Sequence, residues 1–187
     1  MTIRIFVFLA LSATAAMAAD STPTFDTKGA EAYCISTGGL VESRVPVYGT
    51  NGPSSSWLWL GGGAEFCQYT SASDGSRIHV ELTTLYTTKP TLAALAYYNP
   101  PAYNGGNGAP GSIYCSQLGG TDLFGGINAA GGAWVSVGGI DRLLDSCMFP
   151  DGSMIDSYGL FYWSAGIVRG INLSTVLKYP NPYTAKK

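Results

Sequence analysis

"CMFPDGSMIDSYGLFYW", residues 147–163, decides how the chain is read: a cysteine, a Pro-Asp-Gly turn, then a run rich in aromatic residues. Pro150 presets the backbone angle that opens a turn, Asp151 hydrogen-bonds its own backbone, and Gly152 takes positive φ at little cost. "FPDGS" is therefore expected to join two antiparallel strands. A looser version of the phrase, "CQYTSASDGSRIHVELTTLYT", occupies residues 67–87.

The recurrence runs outward from these two stretches. Tyr33-Cys34 and Gly38-Gly39 return as Tyr114-Cys115 and Gly119-Gly120, and Asp74-Gly75-Ser76 returns as Asp151-Gly152-Ser153. Trp57, Leu60, Gly61 and Gly62 align with Trp134, Val137, Gly138 and Gly139. Leu92, Leu95 and Tyr98 align with Leu173, Val176 and Tyr179, followed by the Asn-Pro pairs Asn99-Pro100 and Asn181-Pro182. The order never changes, which is the signature of a tandem duplication. A first unit is expected over residues 24–103 and a second over 109–185, with residues 104–108 as a linker.

Each unit has the same plan. Ala30, Tyr33, Cys34 and Thr37 line one face of a short helix, as do Gly111, Tyr114, Cys115 and Leu118. The Gly-Gly pair after each supplies the helix stop. Strands are expected at "LVESRVPVY", "SSWLWL", "AEFCQYT" and "SRIHVELTTLY", and again at "TDLFGGI", "AWVSV", "LLDSCMF" and "SMIDSYGLFYW". "TLAALAYY" and "LSTVLKY" carry apolar residues at helical spacing and stop at prolines. The fold class expected is α+β: two tandem units, each a short helix packed on a small antiparallel sheet with its own disulfide.

Cys34, Cys67, Cys115 and Cys147 allow three pairings. A cysteine on the packing face of a helix and one on a strand of the same unit both point into the helix–sheet interface, which favours Cys34 with Cys67 and Cys115 with Cys147. Cross-unit pairing is the alternative, and it would interleave the halves. Each bridge within a unit is expected to stabilise by about 4 kcal/mol through loop closure. A metal site is not expected: the cysteines are widely separated and His79 is the single histidine.

Residues 1–18 read as a cleaved secretory signal: Arg4, an apolar run from Ile5 to Leu11, and Ala16-Met17-Ala18 as the cleavage pattern. No cysteine follows to accept a lipid. The expected address is the periplasm or the exterior, where paired cysteines persist. Apolar residues make up 46% of the chain and charged ones 12%, so the surface must be built largely from Ser, Thr, Asn, Tyr and Gly. Removing Arg4 takes the ten Lys and Arg to nine against twelve Asp and Glu, a formal charge of −3. That balance argues against nucleic acid as a partner, and no stretch has the cationic amphipathic character of a membrane-inserting helix.

The order Tyr114, Cys115, Gly119-Gly120, Cys147, Pro150-Asp151-Gly152-Ser153 and Leu160-Phe161-Tyr162 resembles the small bacterial domain-of-unknown-function family 333, whose members are labelled hemolysin-like. The first unit resembles it in part, lacking the proline before Asp74. The resemblance covers the helix and strands of each unit but not the trailing "TLAALAYYNPP" segment. It implies a fold and no catalytic residue, cofactor or ligand.

Reactive constellations are few. Ser76, His79 and Asp74 crowd onto one turn, poor geometry for a triad, so His79 is expected as a half-exposed strand histidine with Asp156 as its counterpart. Asp141 with Asp145, and Asp151 with Asp156, have spacings that allow carboxylate pairs, yet a solvated surface is the simpler expectation. No catalytic residue and no cofactor are assigned. The candidate partner-binding residues are the aromatics Trp57, Trp59, Trp134, Trp163 and Tyr162, with packing between the units as the alternative use. The expectation is a non-enzymatic exported binding module for an envelope protein or glycan. The alternatives are an inhibitor or immunity-type protein that contacts an enzyme through "TSASDGS" and "NAAGG", and a hemolysin-like membrane-active protein.

Overall fold

The computed structural model describes residues 25–122, 130–136 and 143–184. The expected signal segment 1–18, the repeat landmarks Val137-Gly138-Gly139, residue Asp141 and most of "TDLFGGI" lie outside the described residues. In chain order the elements are α1 (Thr27–Ser36), β1 (Leu40–Tyr48), β2 (Leu58–Trp59), β3 (Ala64–Thr70), β4 (Arg77–Glu81), α2 (Leu82–Tyr86) and α3 (Leu92–Tyr98). Then follow α4 (Pro110–Gln117), β5 (Gly132–Ser136), β6 (Leu143–Leu144), β7 (Ser146–Met148), β8 (Met154–Asp156) and α5 (Ser157–Ser164). The chain is α+β.

The described strands form one antiparallel sheet in the order β6-β5-β1-β3-β4-β8-β7, with β2 added to β1. Its two ends, β6 and β7, are separated in sequence only by Asp145, so the sheet curls into a nearly closed barrel. This corrects the expectation of a separate small sheet for each half. Three strands from one half, β1-β3-β4, meet β5, β6/β7 and β8 of the other along two seams, β1 with β5 and β4 with β8. A three-stranded sheet has two bare edges, and pairing the halves at both covers all four.

Local registers recur between the halves even so. Leu40 pairs with Gln68 and Val41 with Cys67; Thr121 bridges to Met148, next to Cys147. Cys67 pairs with Val80 as Cys147 pairs with Ile155. Trp134 does not follow this pattern: it lies on β5 opposite Pro46, whereas Trp57 follows a single 3-10 turn at Ser54–Ser56. The 57/134 equivalence is therefore not kept.

Two long strand expectations end early, for one reason. "SRIHVELTTLY" stops at Glu81 and "SMIDSYGLFYW" at Asp156, and each acid caps the helix that follows. A Glu81 carboxylate oxygen accepts from the Thr84 N–H at 3.0 Å, and Asp156 from the Gly159 N–H at 3.0 Å. A side-chain oxygen at the first cap position satisfies an orphan donor and starts a helix where aromatic and β-branched residues alone suggest a strand. Asp156 thus matches Glu81 in position, not His79. "TLAALAYY" is helical as α3, but "LSTVLKY" makes only a 3-10 turn at Leu173–Thr175.

The disulfides are Cys34–Cys67 and Cys115–Cys147, each from a helix to a strand. The Gly-Gly pairs have a divided task. Gly38 and Gly119 turn the chain out of the helix with φ of 88° and 83°, while a Cβ on Gly39 or Gly120 would run into both sulfurs of the adjacent bridge. The "FPDGS" hairpin forms as expected: Gly152 has φ 81°, and Asp151 accepts from the Ser153 N–H and hydroxyl. That turn also reaches the other half, because Asp151 accepts from the Leu92 N–H and the Ser153 hydroxyl oxygen from the Ala93 N–H at the start of α3.

The main apolar core lies outside the barrel, between its wall and the helices. Cys67, Tyr69, Ile78, Val80, Cys147 and Ile155 face outward onto Ala30, Leu85, Ala94, Tyr97, Tyr114 and Leu160. Inside, Phe66, Trp134, Leu144 and Met154 form a smaller cluster. Ala64 and Met148 pack against this cluster, and most of the other buried inward positions are polar.

Candidate functional site

Period-two alternation sends the even residues of β1 and β3, the odd residues of β4 and the even residues of β8 into the barrel. Cross-strand register then sets Gln68 against His79, Ser146 against Asp156, and Arg44 against Ser136. Glu42, Arg44, Gln68, His79, Ser136, Ser146 and Asp156 are all buried.

Arg44 organises this interior. It is 0% exposed, its Nε and Nη2 donate to Glu42 Oε2 at 3.0 and 2.5 Å, and Nη1 donates to the Trp134 carbonyl at 3.2 Å. Nη2 also lies 3.2 Å from His79 Nε2. The same ring nitrogen lies 3.1 Å from the Gln68 side-chain oxygen. The Gln68 amide NH2 donates to the Thr70 hydroxyl at 3.3 Å. His79 Nδ1 faces Asp156 Oδ2 across 3.5 Å, too far for a good hydrogen bond.

At this end the barrel opens into a cleft of about 280 Å3. Its floor is His79 and Asp156; its rim includes Arg77, Asp145, Tyr158 and Arg169. Asp145 occupies the break between β6 and β7. Burial, reinforced by the neighbouring charges of Asp122 and Asp156, pushes its carboxyl up to about 6. Burial first and these same carboxylates second raise the Tyr158 hydroxyl. Asp122 is held beneath them by the Ser112 and Ser157 hydroxyls, at 2.9 and 3.1 Å. The Arg169 guanidinium lies over the Tyr162 ring, 5.1 Å from its centre. Three buried side-chain atoms among the described residues lack a hydrogen-bond partner: His79 Nδ1, Ser146 Oγ and Arg169 Nε. Two line the cleft, and the third is on the residue paired with Asp156.

His79 is therefore not half-exposed, as expected, but 2% exposed inside the barrel. The Ser76-His79-Asp74 arrangement does not assemble: Asp74 accepts from the Ser76 N–H, and the Ser76 hydroxyl oxygen accepts from the Gly170 N–H. The carboxylates that do meet are Asp145 and Asp156, one from each of the two sequence-spaced pairs. Arg77, Tyr158 and Arg169 carried no sequence signal, because the turn at Gly75 and the segment after α5 lie far apart in sequence and meet only in the folded chain.

The candidate aromatics do not converge. Trp134 is inside the barrel, 5.7 Å from Phe66. Trp163 stacks on Tyr97 at 4.8 Å and donates to its carbonyl at 2.7 Å. Tyr162 is half-buried under Arg169, and Trp57 donates to the Gly52 carbonyl at 3.0 Å. Trp59 alone of the five is strongly exposed, at 55%, on a ridge with Leu58, Leu60 and Tyr48.

Among the described residues no group of three or more His, Cys, Asp or Glu side chains is placed to hold a metal ion, and no helix is long and apolar enough to cross a membrane. Comparison of the chain with protein-family models, with curated proteins and with solved structures gives no match.

Proposed function

We propose that this protein is an exported, non-enzymatic binding module whose ligand site is the cleft at the barrel mouth. The observation that carries this reading is the pair of unpartnered buried nitrogens, His79 Nδ1 and Arg169 Nε, facing one small polar cleft. Buried polar atoms are almost always satisfied, and those that are not mark places where something else completes the bonding. A catalytic reading has less support. The His79 ring meets Arg44, Gln68, Glu42 and Asp156, with no hydroxyl or thiol in hydrogen-bond reach among these contacts.

Export fits the two disulfides, which persist in oxidising compartments, and the amino-terminal signal reading gives the route to the periplasm or exterior. The recurring registers around each bridge support descent of the two halves from one duplicated unit, afterwards merged through the seams.

Ligand-observed NMR of the mature protein against a library of small polar metabolites tests the binding reading. Hits that shift the Arg77, His79 and Tyr158 resonances support it, and a library without a single such hit removes it. A second reading, an inhibitor-type contact with another protein, is favoured by the exposed Leu58 and Trp59, 60% and 55% accessible. There, Trp59→Ala rather than a cleft substitution should abolish capture of the partner.

A further inference from the structure

The cleft has a charge pattern that selects among small polar ligands. Among the described residues its acids are Asp145 and Asp156 and its cations Arg77 and Arg169. Resting on the reading of the cleft as a binding site, we infer that its ligand is a small zwitterion of the amino-acid type. The ammonium meets Asp145 and Asp156, and the carboxylate meets Arg77 and Arg169.

Four features converge on this class. The acids crowd each other, since Asp145 lies within electrostatic reach of both Asp122 and Asp156, and a cation placed among them relieves that repulsion. Asp156 gives one oxygen to the α5 cap at 3.0 Å, leaving the other turned toward His79. The guanidinium of Arg169 carries a buried Nε–H with no acceptor, and a carboxylate is the planar acceptor that such a group takes best. The fourth is composition: among the described residues two acids and two guanidiniums line one small cleft, so a ligand carrying both charges can face both pairs.

Size narrows the class. A volume of about 280 Å3 falls just below the usual range for ligand sites, roughly 300–1,000 Å3. It admits a free amino acid with a small side chain. Tyr158 and Leu144 form the less polar wall against which such a side chain would rest. The buried Nδ1 of His79 at the floor is left to bond whichever polar ligand atom sits deepest.

The test uses the mature full chain with both disulfides intact, titrated with glycine, L-alanine, acetate, methylammonium and glucose, and followed by amide and histidine side-chain NMR. The expected result is saturable shifts around Arg77, His79 and Tyr158 with glycine or L-alanine, with acetate and methylammonium at least about tenfold weaker. Arg169→Gln and Asp145→Asn, each checked for a native amide spectrum, should each weaken the zwitterion about tenfold or more. Acetate, methylammonium or glucose binding as tightly as glycine would overturn the zwitterion inference while leaving the cleft a binding site. No shift at the cleft with any of the five probes overturns the inference, and the wider library decides the site. If Arg169→Gln fails to fold, Arg169→Lys replaces it: retained charge without the Nε–H donor should still weaken binding, and unchanged affinity counts against the assignment.

Discussion

The two faces of the barrel wall are made by the same strands and follow opposite rules. Val80 and Ile155 point outward, pair across the β4–β8 seam and disappear into apolar contacts with the helices. One residue away on each strand, His79 and Asp156 point inward to a charged interior that ends in an open cleft. The outer face has the composition of a core and is pinned by both disulfides. The inner face has Arg44 and Glu42 buried as an ion pair, an arrangement that seldom stabilises over apolar side chains of the same shape. The difference teaches a division of labour: the larger apolar core lies outside the barrel, and the inside is shared between a small apolar cluster and buried polar groups.

The sharpest way to break that comparison is at Arg44. Arg44→Met strands the buried Glu42 carboxylate and should destabilise by roughly 3–5 kcal/mol in urea unfolding, whereas the double change Glu42→Leu with Arg44→Met should recover most of the loss. If the single and double variants are equally unstable, the ion pair is a structural requirement and the division of labour fails. Next in size, replacing Cys34 and Cys67 together by Ser should cost about 4 kcal/mol, from closure of the chain between them, read from the same denaturation curves. On the outer face Ile155→Val should cost about 1 kcal/mol, the usual effect of removing one buried methylene.

Asp145 gives a pH test of the inner face. Its carboxyl ordinarily titrates at 3.8 and is raised to about 6 in the fold, by burial first and by Asp122 and Asp156 second. The folded chain therefore keeps a proton that the unfolded chain has released. The associated stability is present below about pH 4 and is lost as pH rises through 6. Tyr158, His79, Arg77 and Arg169 also line this space, with Asp156 the second carboxylate. Asp145→Asn should match the parent's thermal midpoint near pH 4 and exceed it at pH 7; equal midpoints at both pH values would mean that the carboxyl is not held neutral. The smallest effect is expected on the exposed ridge, where Trp59→Ala should change stability by no more than about 0.5 kcal/mol. A larger loss in thermal unfolding would show that the ridge belongs to the core.

Much of the local structure was legible from residue order. The spacing of Tyr-Cys from Gly-Gly foretold a helix stop and, with the cysteine on the packing face, the helix-to-strand bridges. "FPDGS" foretold its hairpin, since Pro150, Asp151 and Gly152 act within a few bonds of one another. The helices after β4 and β8 were missed, although the signal was present: Glu81 and Asp156 each stand where an N-cap belongs. The candidate site was legible only in part. Asp145, Asp156 and His79 stood out as titratable residues, but their grouping with Arg77, Tyr158 and Arg169 did not.

Short-range chemistry, in which a turn, a cap or a helix face acts on its immediate neighbours, is written into consecutive residues, and so is the choice of sulfur partners once helix and strand are placed. Which strand edges meet is not, because hydrogen-bonding edges look alike and the choice is made by closure of the whole sheet. The seams β1–β5 and β4–β8 merged two expected units into one barrel, turned His79 inward and created the cleft.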